Sequence, residues 1–399
     1  MPPSKTYVWQ RPGWPDLRYD AAAASPALLR ARESKGKLHG MAHAIGIEGL
    51  EEVMQELWTR EALSTSAIEG EKLDIAVVRS SVLKRLGADE YGPIERHVDG
   101  LVEVMQDAIT GHARPLDADR LCRWQSALFP GGTSGIRRIA VGRFRDHADP
   151  MQIVSGLPGR EVVHYTAPPS AQVAREIEAF LAWFAATAPK PARGSARTAN
   201  APLIDGIARA AMAHLWFETV HPFEDGNGRI GRAIADMALA QDDGGSLRLY
   251  SLSRQLLLER RTYYDALAAA QAGDADVTSF VIWFADVFSG ACDASMQVIE
   301  ASLEKSRFWA SHARQSLNER QRRLLQRLLD AGDGGFPGGL NVEKYLKMIK
   351  ASKPTATRDL ADLVKQGMLH TAGRGKALRY YISVPGWKHG RTNETDEPA

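Results

Sequence analysis

The sequence has little cysteine, no long apolar run and almost no net charge. Its 399 residues contain only two cysteines, Cys122 and Cys292, which are far apart and lack the spacing of metal ligands. We therefore expect no disulfide framework, and a reducing cytoplasm is the predicted compartment. No apolar run approaches the length of a membrane span, and the first residues lack the basic-then-apolar layout of a secretory signal. A membrane partner is not expected.

The net charge of +2 conceals an uneven distribution along the chain. Residues 317–385 contain 13 lysines and arginines but only 6 acidic residues, so this segment carries +7 and the rest of the chain carries −5. A basic segment attached to a mildly acidic body predicts two parts with different partners.

Hydrophobic periodicity predicts a mainly helical chain. The first thirty residues, rich in Trp, Pro and Tyr, are typical of an irregular packed arm. Helices are predicted from residue 26 to about 88, at 94–109, 118–128 and 171–187, in two pieces across 203–241, and with breaks to about 313. Between 139 and 169, alternating segments around glycines (VGRFR, MQIVS, LPGRE, VVHY) predict a β-hairpin. The composition of 189–202 predicts a loop.

The densest chemical signal is the string HPFEDGNGRIGR at residues 221–232. Its residues Gly226, Asn227 and Gly228 can bend the backbone so that successive N–H groups converge on an anion. The helix predicted to start near Asn227 would aim its positive end at the same point. These features predict a phosphate site.

The charged residues of the same string suit a phosphoryl-type transfer. Arg229 and Arg232 are three residues apart, so they share one helical face and can bind phosphate oxygens. Asp225 supplies a hard oxygen ligand for Mg²⁺. His221 titrates near neutrality and can take a proton from an attacking hydroxyl.

This string resembles, at every defining position, the motif His-Pro-Phe-x-Asp/Glu-Gly-Asn-Gly-Arg-x-x-Arg of the Fic family. The resemblance implies an all-helical core and transfer of AMP from ATP to a Ser, Thr or Tyr hydroxyl of a protein. It implies that His221 is the general base and that Asp225 binds Mg²⁺. The residues expected to bind the ATP phosphates are Gly226, Asn227, Gly228, Arg229, Gly231 and Arg232, with Arg232 at the γ-phosphate.

Two further segments resemble parts of that family. Tyr264 and Gln271 stand where family members place a Tyr and a polar residue against the adenosine. Packing in the core is an equally good explanation of Tyr264 and its neighbour Tyr263. The predicted hairpin resembles the family's flap, whose strand edge pairs with the backbone of the target by β-augmentation. Its predicted edge is Val163, His164 and Tyr165; a plain surface hairpin is the alternative.

The N-terminal part resembles two further features of the family. Thr65-Ser66-Ala67-Ile68-Glu69-Gly70 is similar to its inhibitory helix motif, Ser/Thr-x-x-x-Glu-Gly/Asn. The resemblance implies that Glu69 pairs with Arg232, which leaves the γ-phosphate without its partner. The alternative is an ordinary solvated helix carboxylate. The tract around Trp9 and Trp14 resembles a short domain found ahead of the catalytic core in one bacterial subgroup of Fic proteins.

The basic segment predicts three helices followed by two strands. The helices are expected at 318–331, 341–350 and 354–366, and the strands flank a Gly-Arg-Gly-Lys tip. This order resembles a winged helix-turn-helix. DNA would be contacted by Thr355, Thr357 and Arg358 on the third helix and by Arg374 and Lys376 on the wing. Protein docking or dimerisation is the alternative use of such a module.

The predicted fold class is mainly α, with a Fic-type helical core, a small β-hairpin flap and a C-terminal winged-helix (α+β) module. Four segments are expected: 1–90, an arm with the inhibitory helix; 91–312, the catalytic core; 317–385, the winged helix; and 386–399, a disordered tail. The leading function is an autoinhibited protein adenylyltransferase that uses ATP and Mg²⁺ and modifies itself or another protein.

Three alternatives to this function stay open. The same site could remove AMP, or could use another nucleotide donor. A different class is a nucleotide-sensing regulator that binds DNA. The sequence also leaves open whether the chain forms a homodimer and whether Glu69 acts within one chain or between two.

Overall fold

The computed structural model describes residues 6–45, 47–155, 162–189, 204–245, 248–332, 335–336 and 338–387. The predicted LPGRE piece of the hairpin, nearly all of the 189–202 loop and the tail beyond residue 387 lie outside the described residues. The chain divides into two compact units, Met1–Gln297 and Val298–Ala399. Helices dominate both units, and the described strands form three two-stranded antiparallel hairpins, so the predicted mainly α fold class is confirmed.

Ten helices lie within the described part of the first unit, and an eleventh begins there. They are α1 Ala21–Ile45, α2 Ile47–Ile68, α3 Ile75–Arg85, α4 Arg96–Thr110, α5 Ala118–Leu128, α6 Ser170–Ala186, α7 Gly206–Val220, α8 Asn227–Asp243, α9 Leu252–Leu258, α10 Arg260–Ala272 and α11 Thr278–Ser311. Its strands are β1 Thr133–Ser134, β2 Arg137–Arg138, β3 Gln152–Ser155 and β4 Val162–Thr166. β1 pairs with β2, and β3 pairs with β4.

Side-chain caps decide where several of these helices start. The carboxylates of Asp74, Asp117 and Asp205 accept hydrogen bonds from backbone N–H groups in the first turns of α3, α5 and α7. α8 ends at Asp243 and is capped by Gly244, whose φ of +63° suits a glycine.

The core of the first unit is built around α7. All fifteen of its residues are buried, which is typical of a helix enclosed by its neighbours. It packs most extensively against α8, and also against α6, α10 and α1. Because α7 ends at Val220 and α8 begins at Asn227, the intervening loop is held by the most buried helix pair of the unit.

Two local predictions differ from the structure, and one short hairpin was not predicted. α1 begins at Ala21 rather than near Pro26, because Asp20 accepts hydrogen bonds from the N–H groups of the second and third helical residues. The VGRFR segment is irregular rather than a strand. The β1–β2 hairpin was not predicted, since strands of two residues carry no detectable alternation.

The described part of the second unit begins with the end of α11. Three further α-helices and one hairpin follow in the order that the sequence predicts. They are α12 Glu319–Asp330, α13 Val342–Met348, α14 Lys353–Lys365, β5 Leu369–Ala372 and β6 Arg379–Ile382. Leu324, Leu360 and Leu363 belong to its buried core. Asn318 and Gln321 form a capping box at the start of α12. Among the described residues of the whole chain, no helix combines the length and apolar composition that a membrane span needs.

Candidate active site

The loop between α7 and α8 holds His221 in an unusual backbone conformation. His221 caps α7 with a φ of 48°, in the left-handed region, and in the described part of the chain it is the one non-glycine residue with positive φ. Its N–H donates to the carbonyl of Phe217 at 2.9 Å. A non-glycine residue in this region is strained, so the surrounding structure must hold it there.

Arg145 provides that restraint. Its buried guanidinium donates to three backbone carbonyl oxygens and one hydroxyl: His221 O at 2.8 Å, Val220 O at 3.2 Å, Pro168 O at 2.6 Å and Ser170 Oγ at 2.9 Å. Its own N–H donates to the carbonyl of Pro222 at 2.9 Å. Burial lowers the pKa of Arg145 to about 10. Our sequence analysis missed this residue, which lies in the segment mispredicted as a strand.

The turn before α8 leaves only backbone groups for an anion. Gly226 has a φ of +90°, and a Cβ there would lie 2.9 Å from the ring of Phe129. The amide of Asn227 is used internally: Oδ1 accepts from Phe223 N at 2.9 Å, and Nδ2 donates to Phe223 O at 2.8 Å. Asn227 can therefore offer a phosphate only its N–H at the start of α8.

Gly228 and Gly231 allow two carboxylates to approach α8 closely. A Cβ at Gly228 would lie 2.2 Å from Oε1 of Glu69, and a Cβ at Gly231 would lie 2.5 Å from Oε1 of Glu218. Neither position has room for a side chain.

Asp225 and Arg229 face a cavity of about 670 Å³ beside this loop. Asp225 accepts hydrogen bonds from the hydroxyl of Ser134 and from Gly226 N, and 38% of its side chain is exposed. The guanidinium of Arg229 lies 3.4 Å from Glu71 and 3.7 Å from Asp225. The other lining residues are Glu69, Gly70, Glu71, Arg96, His97, Leu128, Phe129, Pro130, Gly131, Thr133, Ser134 and Gly135.

Glu69 and Arg232 form an ion pair between α2 and α8. Oε1 of Glu69 lies 2.7 Å from Nη2 of Arg232, whose side chain is only 2% exposed. Arg232 also donates to Thr65, from Nε to Oγ1 at 2.8 Å and from Nη2 to the carbonyl oxygen at 3.0 Å. Burial opposes both charges, but their mutual attraction holds the pKa of Glu69 below its usual range and the pKa of Arg232 above its usual range.

A group of buried titratable side chains lies behind His221. Nδ1 of His221 is 3.8 Å from Oε2 of Glu218, one turn earlier on α7. Burial, reinforced by the charge of Glu69, raises the pKa of Glu218 to about 8. Burial lowers the pKa values of His221 and His214 to about 4, with the charge of Arg145 as the second cause at His221. Nε2 of His214 is hydrogen-bonded to the hydroxyl of Tyr263 at 2.9 Å.

The residues predicted to contact adenosine are not brought to the cavity. The hydroxyl of Tyr264 donates to the carbonyl of Ile68 at 3.1 Å, which fastens α10 to the end of α2. Gln271 is buried and donates to the carbonyl of Glu218 at 3.3 Å.

The predicted flap strand is β4, but its side chains differ in their surroundings. Tyr165 is buried, donates to the carbonyl of Thr219 at 2.6 Å and packs against the ring of Tyr7, so it can offer a partner only its backbone. Val163 is half-buried and His164 is exposed. Large apolar side chains are exposed on the same hairpin at Ile153, Val154 and Val162.

Two family models match the chain. Residues 7–88 match a domain of unknown function, DUF4172, and residues 115–239 match the Fic/DOC family. The second match includes α7, the loop with His221 and most of α8. It supports placing this part of the chain in the Fic/DOC family.

Individual relatives are distant. A protein of Aquifex aeolicus (strain VF5), named as a probable protein adenylyltransferase, is 32% identical over 74 residues, which cover 18% of this chain and 21% of the relative. A solved Fic family protein from Desulfovibrio desulfuricans G20 has a TM-score of 0.51 at 18% identity, over 93% of this chain and 99% of that chain. A Fic domain containing signaling protein from Bacteroides thetaiotaomicron VPI-5482 has a TM-score of 0.49 at 14% identity, over 70% and 97%. The Desulfovibrio structure shows that the fold is similar, and no more.

Proposed function

We propose that the chain is an autoinhibited protein adenylyltransferase, which moves AMP from ATP to a protein hydroxyl. The observation that carries the proposal is the ion pair of Glu69 and Arg232 at the start of a helix whose first turn offers free backbone N–H groups. An arginine fork is suited to phosphate oxygens, and a helix N-terminus attracts anions. Because the carboxylate of Glu69 is bound to the guanidinium of Arg232, it competes with a phosphate for that guanidinium.

The transfer itself would use His221 as general base. The oxygen of the target hydroxyl bonds to the α-phosphorus, and the bond from that phosphorus to the bridging oxygen breaks, so the electron pair leaves with pyrophosphate. The hydroxyl proton passes to the imidazole, which is neutral at pH 7 because burial lowers the pKa of His221 to about 4. Arg229 and Arg232 would stabilise the charge on the departing phosphates.

The residues present fit a Mg²⁺ ion that arrives with the nucleotide. Asp225 presents a partly exposed carboxylate to the cavity, and no group of three or more His, Cys, Asp or Glu suited to a metal occurs among the described residues. Mg²⁺ is commonly held by one or two carboxylates together with substrate phosphates and water. Asp225 would hold the ion, which would neutralise charge on the phosphates.

The test is label transfer from α-³²P-ATP by the full chain, with the protein itself and a lysate as acceptors. We expect weak labelling by the wild type, strong labelling by Glu69→Gly and none by Glu69→Gly/His221→Ala. Glu51→Gly places the same substitution at an exposed position of α2 and controls for loosening of that helix. Absence of labelling in every lane, with ATP shown to bind, would contradict transfer from ATP and favour AMP removal, another donor or a nucleotide-sensing regulator.

We infer a second role, DNA binding, for the C-terminal unit. Thr357 and Arg358 are exposed in the first two turns of α14, and Thr355 is half-buried beside them. Arg374 and Lys376 are exposed at the tip between β5 and β6. A helix N-terminus and a basic hairpin tip fit the predicted winged helix-turn-helix. Docking of a protein is the alternative, and a salt-dependence measurement separates the two.

A further inference from the structure

Three buried polar atoms of α7 and its cap lack a hydrogen bond of good geometry, although the ring of His221 also lies near the backbone of Glu218 and the ring of His214 near the backbone of Gly231. The three atoms are Nδ1 of His214, Oε1 of Glu218 and Nδ1 of His221. The four-residue spacing places His214 and Glu218 on one face of α7, and His221 follows as the cap of that helix. Native proteins seldom leave buried polar atoms unpaired, and a cluster of them next to a reactive group calls for an explanation.

α8 lies opposite this cluster, and a glycine leaves room for the two α7 side chains. A Cβ at Gly231 of α8 would lie 2.5 Å from Oε1 of Glu218 and 3.2 Å from Nδ1 of His214. On the His221 side, Oε2 of Glu218 lies 3.8 Å from Nδ1, slightly too far for a hydrogen bond. A small rotation of the Glu218 side chain would close that gap.

We propose that Glu218 is a positioning residue for His221, because its ionised carboxylate accepts the Nδ1 proton and leaves Nε2 free to take the proton of the target hydroxyl. Only 13% of the His221 side chain is exposed, and the buried Nδ1 puts Nε2 at the accessible edge of the ring. This inference rests on the proposed transfer reaction.

Within the transfer, Glu218 changes neither its bonds nor its proton. The hydroxyl oxygen bonds to the α-phosphorus, pyrophosphate leaves with the electron pair, and the hydroxyl proton moves to Nε2. The resulting imidazolium keeps its Nδ1 proton, which points at the Glu218 carboxylate, and the proton on Nε2 is later lost to solvent. The carboxylate thus fixes the tautomer before the step and faces the positive charge after it.

The charges around Glu218 make this arrangement switchable. The groups that face it are His214 on α7, His221 at its cap, Arg232 on α8, Glu69 just after α2, Tyr263 on α10 and Tyr165 on β4. Burial and then the charge of Glu69 raise the pKa of Glu218, while the charge of Arg232 lowers it. A protonated Glu218 would donate to Nδ1 and leave the proton of His221 on Nε2, which disables the base. The charge of Glu69 would therefore favour the protonated form of Glu218, in addition to the contact of Glu69 with Arg232.

The first measurement is the pH profile of transfer in the Glu69→Gly background. We expect Glu218→Gln to lower kcat by at least about tenfold with the KM for ATP little changed, and to remove the rise of rate on the alkaline side. Glu218→Asp should restore that rise in part. Glu176→Gln removes another buried carboxylate, one that accepts from Trp14, and should leave the profile unchanged. Full rate with an unaltered profile in Glu218→Gln would overturn the proposal.

The second measurement requires no transfer and so separates the two hypotheses. The ring nitrogens of ¹⁵N-histidine-labelled full-length protein are followed against pH, with His221 assigned by His221→Ala. We expect its tautomer to change as Glu218 ionises, at lower pH in Glu69→Gly than in wild type, and not at all in Glu218→Gln. If this change is seen without any transfer, only the proposed function fails. If the tautomer of His221 does not change as Glu218 ionises, the positioning role is refuted whatever the transfer assay shows.

Discussion

The carboxylate of Glu69 and the guanidinium of Arg232 are 2.7 Å apart, although 163 residues separate them in the chain. The ion pair joins the residue that follows the end of α2 to the second turn of α8. The ends of α2 and α10 are tied at the same place, because Arg260 and Tyr264 both donate to the carbonyl of Ile68. These contacts hold the end of α2 beside Arg232, and separation of Glu69 from Arg232 is the change that we expect to activate the protein.

Thr65→Ala should release part of the inhibition. The Thr65 hydroxyl accepts from Nε of Arg232 at 2.8 Å, and a hydrogen bond to a charged group contributes about 1.5–3 kcal/mol. We expect label transfer from α-³²P-ATP to rise about tenfold over wild type, but to stay below that of Glu69→Gly. Thr59→Ala is the matched control, because the buried Thr59 bonds only within α2. Equal labelling by both threonine variants would count against a role for Thr65.

Arg145→Lys should weaken the loop that holds His221. A lysine keeps the charge but cannot donate to carbonyl oxygens in several directions at once. We expect a loss of about 2–4 kcal/mol in the free energy of unfolding and, in the Glu69→Gly background, a fall in kcat of at least about tenfold.

The same substitution at Arg143, which is two residues earlier and exposed, is the control for Arg145→Lys. Denaturant unfolding and label transfer are measured on the same preparations. An Arg145→Lys variant with normal stability and normal kcat would show that the left-handed conformation of His221 does not depend on this guanidinium.

Glu218→Gln should stabilise the protein increasingly as the pH rises. Burial raises the pKa of Glu218 to about 8 in the folded state, well above its ordinary value near 4.5. Between these two values the folded state binds more protons than the unfolded state, so the glutamate makes the free energy of unfolding fall as pH rises. Glutamine does not titrate, and its advantage should grow by about 3–5 kcal/mol between pH 5 and pH 9.

Unfolding by denaturant at pH 5, 7 and 9 measures that difference for wild type and Glu218→Gln. The buried histidines have lowered pKa values, so they make the free energy of unfolding rise with pH. Comparing Glu218→Gln with wild type removes this contribution, because both proteins contain the same histidines. Glu176→Gln, a buried glutamate that is bonded to Trp14, is the control. A stability difference for Glu218→Gln that is constant across pH would contradict the raised pKa.

DNA binding by the C-terminal unit should depend steeply on salt. Each phosphate contact contributes about 0.9 to the slope of log K against log salt concentration, so Arg358→Ala and Lys376→Ala should each lower the slope by about 1. Arg323→Ala removes an exposed arginine of α12 that pairs with Glu319, and should leave the slope unchanged. Affinity is measured by fluorescence anisotropy with duplex DNA at several salt concentrations. No binding at low salt would favour protein docking instead.

The helices were largely predictable because their periodicity and caps are local. α5 lies at the predicted 118–128, and the ends of α12, α13 and α14 differ from their predictions by two residues or fewer. The β1–β2 hairpin was not predictable, since its two-residue strands are defined by pairing with each other. Tyr264 and Gln271 each donate to a carbonyl group of a neighbouring helix, and their predicted contact with adenosine stays a prediction.

The sequence by itself determined the mainly helical class and the order of the site residues from His221 to Arg232, because both depend on residues close together in the chain. Only the tertiary structure decided which distant residues contact the side chains and backbone of residues 221–232. Arg145 reaches His221 across 76 residues, and nothing in the sequence indicated this contact. The pairing of Glu69 with Arg232 across 163 residues was implied by the resemblance of residues 65–70, but only the structure gives its geometry. Glu218 is near in sequence, yet its importance depends on burial and on the charge of Glu69 from another helix. Contacts of this kind follow from packing, which has no signature in a short stretch of chain.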